Sequence, residues 1–113
     1  MKTFNSQYTK EALEQFKELD ENSQDKILEA VRIFEYIGTN YKNINSLGNG
    51  LFELKPKGIR AYFMYAENKI IIIGLIVLKK TQKTPKRFIE QAIRNIENYK
   101  NKEFSLSEDN TKN

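Results

Sequence analysis

Residues 51–78 read LFELKPKGIRAYFMYAENKIIIIGLIVL, and the period of their apolar positions decides the fold. LFELK alternates, Pro56, Lys57 and Gly58 offer turn chemistry, and IRAYFMY alternates again, with Ile59, Ala61, Phe63 and Tyr65 set against Arg60, Tyr62 and Met64. That is a hairpin. Ala66, Glu67 and Asn68 make the next tight turn. IIIIGLIVL then shows no alternation, which predicts a strand buried on both faces and central in its sheet. Lys69 before it and Lys79 and Lys80 after it guard this strand against aggregation.

Upstream the period is helical. Residues 10–19 (KEALEQFKEL) carry Leu13, Phe16 and Leu19 among good helix formers, with Thr9 as N-cap. Asn22 reads as the cap of a second helix, in which Ile27, Ala30, Val31, Phe34 and Ile37 share a face, Asp25 lies in the first turn and Gly38 supplies the stop. Residues 38–50, rich in Gly and Asn, read as a loop pinned by Tyr41, Ile44 and Leu47. Downstream, Thr84 and Pro85 read as N-cap and N1 of a third helix, with Ile89, Ala92, Ile93 and Ile96 on one face and Tyr99 closing it. Residues 103–113 lose all periodicity and read as a polar, disordered tail. The order is ααβββα, with a weak strand in residues 2–5. The expectation is one α+β domain over residues 1–102: an N-terminal helical hairpin, an antiparallel β-meander, and a C-terminal helix packed on the sheet, with the helices on one face.

Composition bounds the chemistry. The chain of 113 residues, 39% apolar and 30% charged, holds one core and a soluble surface. It has no Cys and no His, which excludes disulfides, zinc fingers, thiol nucleophiles and imidazole acid–base catalysis; no metal and no cofactor are expected. Residues 1–7 are polar, unlike a signal peptide, and the longest apolar run, residues 70–78, is too short to span a bilayer. A cytoplasmic protein without a membrane partner is expected.

Charge is segregated along the chain. Residues 1–37 carry a net −3, residues 38–78 a net +3, residues 79–102 a net +6 and residues 103–113 a net −2. Between Leu54 and Ile89 nine cations (Lys55, Lys57, Arg60, Lys69, Lys79, Lys80, Lys83, Lys86, Arg87) face one acid, Glu67. Solvation alone gives no reason to exclude carboxylates over such a length, so the excess favours a phosphate-bearing partner. Two groups stand out. The third helix starts among Lys83, Lys86 and Arg87, with Lys79 and Lys80 just upstream, although helix N-termini favour acids; each misplacement costs about 0.3–1 kcal/mol at low salt. A bound phosphate suits that end. Lys55, Lys57 and Arg60 form the other group around the first hairpin turn, where the period of two lets them converge.

The run LGNGLFELKPKGIRAYFMY, followed by a hydrophobic strand and KKTQKTPKR, resembles the HigB-type, phage-related branch of the RelE/ParE superfamily of type II toxins. The most specific part is KKTQKTP, residues 79–85, joined to the G-L-x-E-L-(K/R) signature at residues 50–55. The resemblance implies a small RelE-like α+β fold, a cognate antitoxin of helix-turn-helix type, and ribosome-dependent cleavage of messenger RNA. By position it matches the catalytic basic residues to Lys55, Lys57 and Arg60 and, after the last long strand, to Lys79 or Lys80, of which Lys80 is taken as catalytic; Lys79, together with Lys83, Lys86 and Arg87 from the charge pattern, is read as binding RNA. Many relatives carry a His shortly before the KKTQKTP segment or a late Tyr or His; residues 74–78 have no His, and the spacing of Tyr99 makes it core.

Metal-free cleavage drives the ribose 2′-oxygen onto the adjacent phosphorus and needs a base, stabilisation of the added negative charge, and an acid for the leaving oxygen. An isolated Lys titrates near about 10.4, but cationic neighbours disfavour its charged form, so Lys55 or Lys57 is a candidate base. Arg60 suits a bidentate phosphate clamp, and Lys80 an acid or second clamp. Two other readings stay open: a ParE-like gyrase inhibitor, and a noncatalytic RNA-binding module, for which Tyr62 and Tyr65 are available but on opposite strand faces.

Overall fold

A computed structural model describes residues 1–79 and 83–112, with side chains described up to residue 102. Its elements are β1 (Asn5–Tyr8), α1 (Lys10–Glu18), α2 (Glu21–Ile37), β2 (Ile44–Gly48), β3 (Leu51–Leu54), β4 (Ile59–Ala66), β5 (Ile70–Leu78) and α3 (Lys86–Lys112), with short 3-10 turns at Gly38–Asn40 and Glu67–Lys69. The sheet runs β1-β5-β4-β3-β2. The α+β class, helical hairpin, meander and C-terminal helix on the sheet are as expected.

The caps explain the helix starts. The Thr9 hydroxyl accepts from the Ala12 amide at 3.1 Å, opening α1 as expected. α2 begins earlier than the sequence suggests. Asp20, not Asn22, is its cap and accepts from the Ser23 amide at 2.7 Å, a carboxylate being the stronger acceptor at a positive helix end. The Ser23 backbone and hydroxyl hold the Asp20 carboxyl below its ordinary value.

Two strands differ from expectation. β1 lies at Asn5–Tyr8 rather than residues 2–5, and it pairs parallel with β5, so the sheet is not a pure meander. Polar NSQY hides it. Its amide donor at Ser6 and the Ser6 hydroxyl both bind the Glu35 carboxylate of α2, at 3.1 and 2.9 Å, which covers this sheet edge. β2 lies inside the expected loop. It joins β3 through Asn49 and Gly50, both at positive φ (54° and 80°), the Asn-Gly hairpin signal that the surrounding polar residues obscure.

The helices do not share one face. α1 and α2 bury Ala12, Ile27, Val31 and Phe34 against Ala61, Phe63, Ile71, Ile73 and Ile76, whereas Ala92 and Ile96 of α3 pack on Leu51, Tyr62, Ile72 and Leu75. β5 is therefore covered on both sides and flanked by β1 and β4, which is why its sequence does not alternate. A bulge sits within it: Tyr62 pairs with Leu75 but Phe63 with Ile73, leaving Gly74 extra. A Cβ at Gly74 would fall 2.5 Å from Ile96 Cγ1 and 2.8 Å from the Ala92 carbonyl oxygen, so glycine is what lets α3 approach so closely. The buried Asn95 amide donates to the Gly74 carbonyl at 2.8 Å.

α3 opens at Pro85, whose carbonyl accepts from the Phe88 and Ile89 amides at 3.0 and 3.4 Å, rather than at a Thr84 side-chain cap. At its far end the helix runs on to Lys112, through the stretch where a disordered tail is expected; residues 103–112 hold no Gly or Pro to end it. No helix among the described residues is long and apolar enough to cross a membrane.

Candidate active site

The α3 face of the sheet is apolar where the helix covers it and polar beyond the helix start. Along β3 and its continuation the period of two places Leu51, Glu53 and Lys55 together; along β4 it adds Tyr62 and Arg60, and along β5 Leu75, Val77 and Lys79. α3 takes the apolar members. The charged ones gather where the strands outrun it, and the Lys79 amide closes this end by donating to the Gly58 carbonyl at 3.0 Å.

Glu53 is the centre of the group, 2% exposed, with Lys79 at 7%. Its Oε2 lies 3.8 Å from Lys79 Nζ and 4.0 Å from Arg60 Nε. Thr84 Oγ1 accepts from Lys79 Nζ at 2.7 Å and donates toward Glu53 Oε2 at 3.4 Å, so the hydroxyl expected to cap α3 ties its approach to the hairpin instead. Asn45 Nδ2 of β2 reaches Glu53 Oε1 at 3.4 Å. Arg60 Nη1 donates to the Ile59 and Pro56 carbonyls at 2.7 and 3.2 Å, which pins the guanidinium across the hairpin turn. A cleft of about 420 Å³ opens beside it, lined by Asn43, Asn45, Glu53, Lys55 and Arg60.

The electrostatics follow from burial. Desolvation lowers the Lys79 pKa below the ordinary lysine value, and Arg60 and Lys55 push the same way while Glu53 opposes them. The Tyr62 hydroxyl, buried beside Glu53 and Thr84 without a well-formed hydrogen bond, is pushed up to about 12, first by burial and then by the Glu53 charge.

The structure thus brings Lys55, Arg60 and Lys79 together. Lys57 is exposed on the turn and does not line the cleft. Lys79, expected at an RNA-binding surface, is buried in the ion pair, because the bulged strand turns it inward against Glu53. Lys83, Lys86 and Arg87 are exposed where the chain enters α3, and the Arg87 guanidinium lies 5.1 Å over the Phe88 ring. Lys80 lies outside the described residues. Tyr99, read as core, is half-buried and donates to Gln7 Oε1 at 2.8 Å. Sequence reading missed Glu53, Asn43, Asn45 and the second use of Thr84. The signal for Glu53 was present: a charge at an inward position of an alternating strand, one residue before the cationic run.

Residues 14–97 of the chain match the family model described as Phage derived protein Gp49-like (DUF891). Among solved structures, a chain of the toxin–antitoxin complex RelBE2 from Mycobacterium tuberculosis is similar, with a TM-score of 0.50 and 17% identity over 70% of this chain and 94% of that one. That likeness is one of fold. None of the curated proteins matches the chain.

Proposed function

We propose, from the premise that this chain belongs to the phage-derived Gp49-like family, that it is the toxin of a type II toxin–antitoxin pair, in the HigB-like branch of the RelE/ParE superfamily, and an endoribonuclease that cuts messenger RNA on the ribosome. The observation that carries this reading is the convergence of Lys55 and Arg60 on one open cleft, with Lys79 and Glu53 buried behind them and Lys83, Lys86 and Arg87 exposed at the entry to α3. The RelBE2 fold likeness supports the pairing with an antitoxin, here one of helix-turn-helix type that masks the cationic cleft.

In this mechanism Arg60 clamps the non-bridging oxygens of the scissile phosphate and stabilises the charge that builds on them. Lys55, beside it in the cleft, and Lys57, exposed on the neighbouring turn, serve the 2′-hydroxyl and the leaving oxygen, with Lys80 as further acid or clamp. Lys79 acts from behind, as the buried partner of Glu53. Lys83, Lys86 and Arg87 hold flanking phosphates. With no imidazole in the chain, proton transfer falls to lysine. The protein works where messages are translated, in the cytoplasm.

Inducing the chain in cells and mapping RNA ends tests this. Cuts within translated messages are expected; intact messages with relaxed or broken DNA would assign it to gyrase inhibition instead. Lys55→Ala, Lys57→Ala and Arg60→Ala are each expected to relieve toxicity in folded protein, and full toxicity in all three refutes the site. Ribosome or RNA binding is expected to weaken with salt, by about −0.7 in log–log slope per single-strand phosphate held.

A further inference from the structure

We propose that Glu53 is a positioning residue of this cleft: its carboxylate, lodged between Arg60 and Lys79, fixes the direction in which the Arg60 guanidinium meets a bound phosphate. The proposal rests on the ribonuclease reading for the identity of the phosphate and on geometry for the role.

Glu53 lies directly across from Tyr62 in the β3–β4 register, at a position where the alternation of the strand calls for an apolar side chain. An ionised carboxylate is kept in such a place only when its oxygens are met by donors. Four different segments meet it: Asn45 of β2 and Thr84 before α3 donate at 3.4 Å, and Arg60 of β4 and Lys79 beyond β5 face it as ion pairs at 4.0 and 3.8 Å. A guanidinium has a planar fork of donors. Two carbonyls hold Nη1 by hydrogen bonds, while Nε, buried and without a hydrogen-bond partner, faces the Glu53 carboxylate as an ion pair at 4.0 Å, so bonds hold one side of the guanidinium and charge attracts the other. Glu53 lies on the floor of the cleft with 2% of its surface exposed and its carboxylate turned to Asn45, Thr84, Lys79 and Arg60, so it acts through Arg60 rather than on the phosphate, which its own charge repels. A negative charge behind a phosphate site opposes anion binding while it aligns the clamp, so removing it separates affinity from turnover.

The test is Glu53→Gln in the full chain, assayed on ribosomes programmed with message. The variant keeps the volume and the reach to Asn45 and Thr84. Turnover is expected to fall about 100-fold, with KM unchanged or lower and the melting temperature close to that of the unsubstituted protein. Wild-type turnover, or a rise in KM that tracks loss of folded protein, overturns the proposal. If Glu53→Gln does not fold, Glu53→Asp keeps the charge and withdraws it by one methylene; the same split is expected at about 10-fold, and wild-type turnover there refutes the role. Nitrogen-15 NMR adds a readout independent of cleavage. In Glu53→Gln the Arg60 guanidinium resonances are expected to shift as its orientation loosens and Lys79 to titrate lower once the Glu53 charge is gone, and unchanged behaviour of both overturns the positioning role. If the wild-type chain cuts no RNA while Glu53→Gln still shows these spectral changes, the ribonuclease reading is removed and Glu53 remains the residue that orients Arg60.

Discussion

The two faces of one sheet bury their side chains by different rules. Under α1 and α2 the filling is aliphatic residues set around a cluster of rings: Phe34 lies 5.2 Å from Phe63 and 5.3 Å from Phe4, and Phe52 stacks on Phe63 at 5.7 Å. Under α3 the filling begins apolar, with Leu51, Leu75, Ala92 and Ile96, and ends in Glu53, Arg60 and Lys79. The same strands supply both, so strand propensity does not set the difference. What differs is coverage, because α3 starts at Lys86 and the strand ends beyond it keep charged residues that must satisfy one another. One face holds the fold together, and the other gives up part of its apolar filling to an ion network beside an open cleft.

Breaking the aromatic face is expected to have the largest effect. Phe34→Ala should cost about 3–5 kcal/mol in chemical denaturation while the folded fraction keeps its activity. On the other face Arg60→Ala is expected to do the reverse: cleavage falls about 100-fold, equivalent to about 2.7 kcal/mol of barrier, with a much smaller change in denaturation midpoint. A large stability loss there would mean that the ion network is structural only. Gly74→Ala probes the seam between the faces, because the new methyl meets the Ala92 backbone oxygen and Ile96; a loss of about 1–3 kcal/mol is expected by thermal melting.

Alkaline titration sharpens the contrast further. Tyr8 and Tyr62 both titrate near 12, above the ordinary 10.0, so their contribution to stability is intact below pH 10 and is lost as the pH rises through 12. Absorbance at 295 nm should show this late phase, and Tyr62→Phe should remove its part of it. The smallest effect is expected at Asp20, whose carboxyl is depressed below 3.8. Its contribution is present above that value and fades as the pH falls through the folded-state value, so Asp20→Ala should lower the melting temperature by about a few degrees at pH 7 and by less near pH 2.5.

Residues 51–78 made the β3–β4 hairpin and the doubly covered strand legible, because period and β-branching act locally. β1 was hidden because an edge strand with the sequence NSQY draws its order from Glu35 of α2, a contact 29 residues away in the chain. At the site, Lys55 and Arg60 stood out by charge. Glu53 did not, since a single acid before a run of cations resembles ordinary surface until the strands pair. Thr84 was placed correctly near a helix start but given the wrong bond, because the competing partners Lys79 and Glu53 arrive only through tertiary closure.

In an unbroken strand, residues separated by an even number point the same way, and Lys79 is six beyond Ile73 and eight beyond Ile71. That count would send its ammonium in among the phenylalanines. The supernumerary Gly74 resets the tally midway, so Leu75, Val77 and Lys79 fall in step with Ile72 instead. The smallest residue in β5 thereby decides, five positions away, on which side of the molecule a cation is stored.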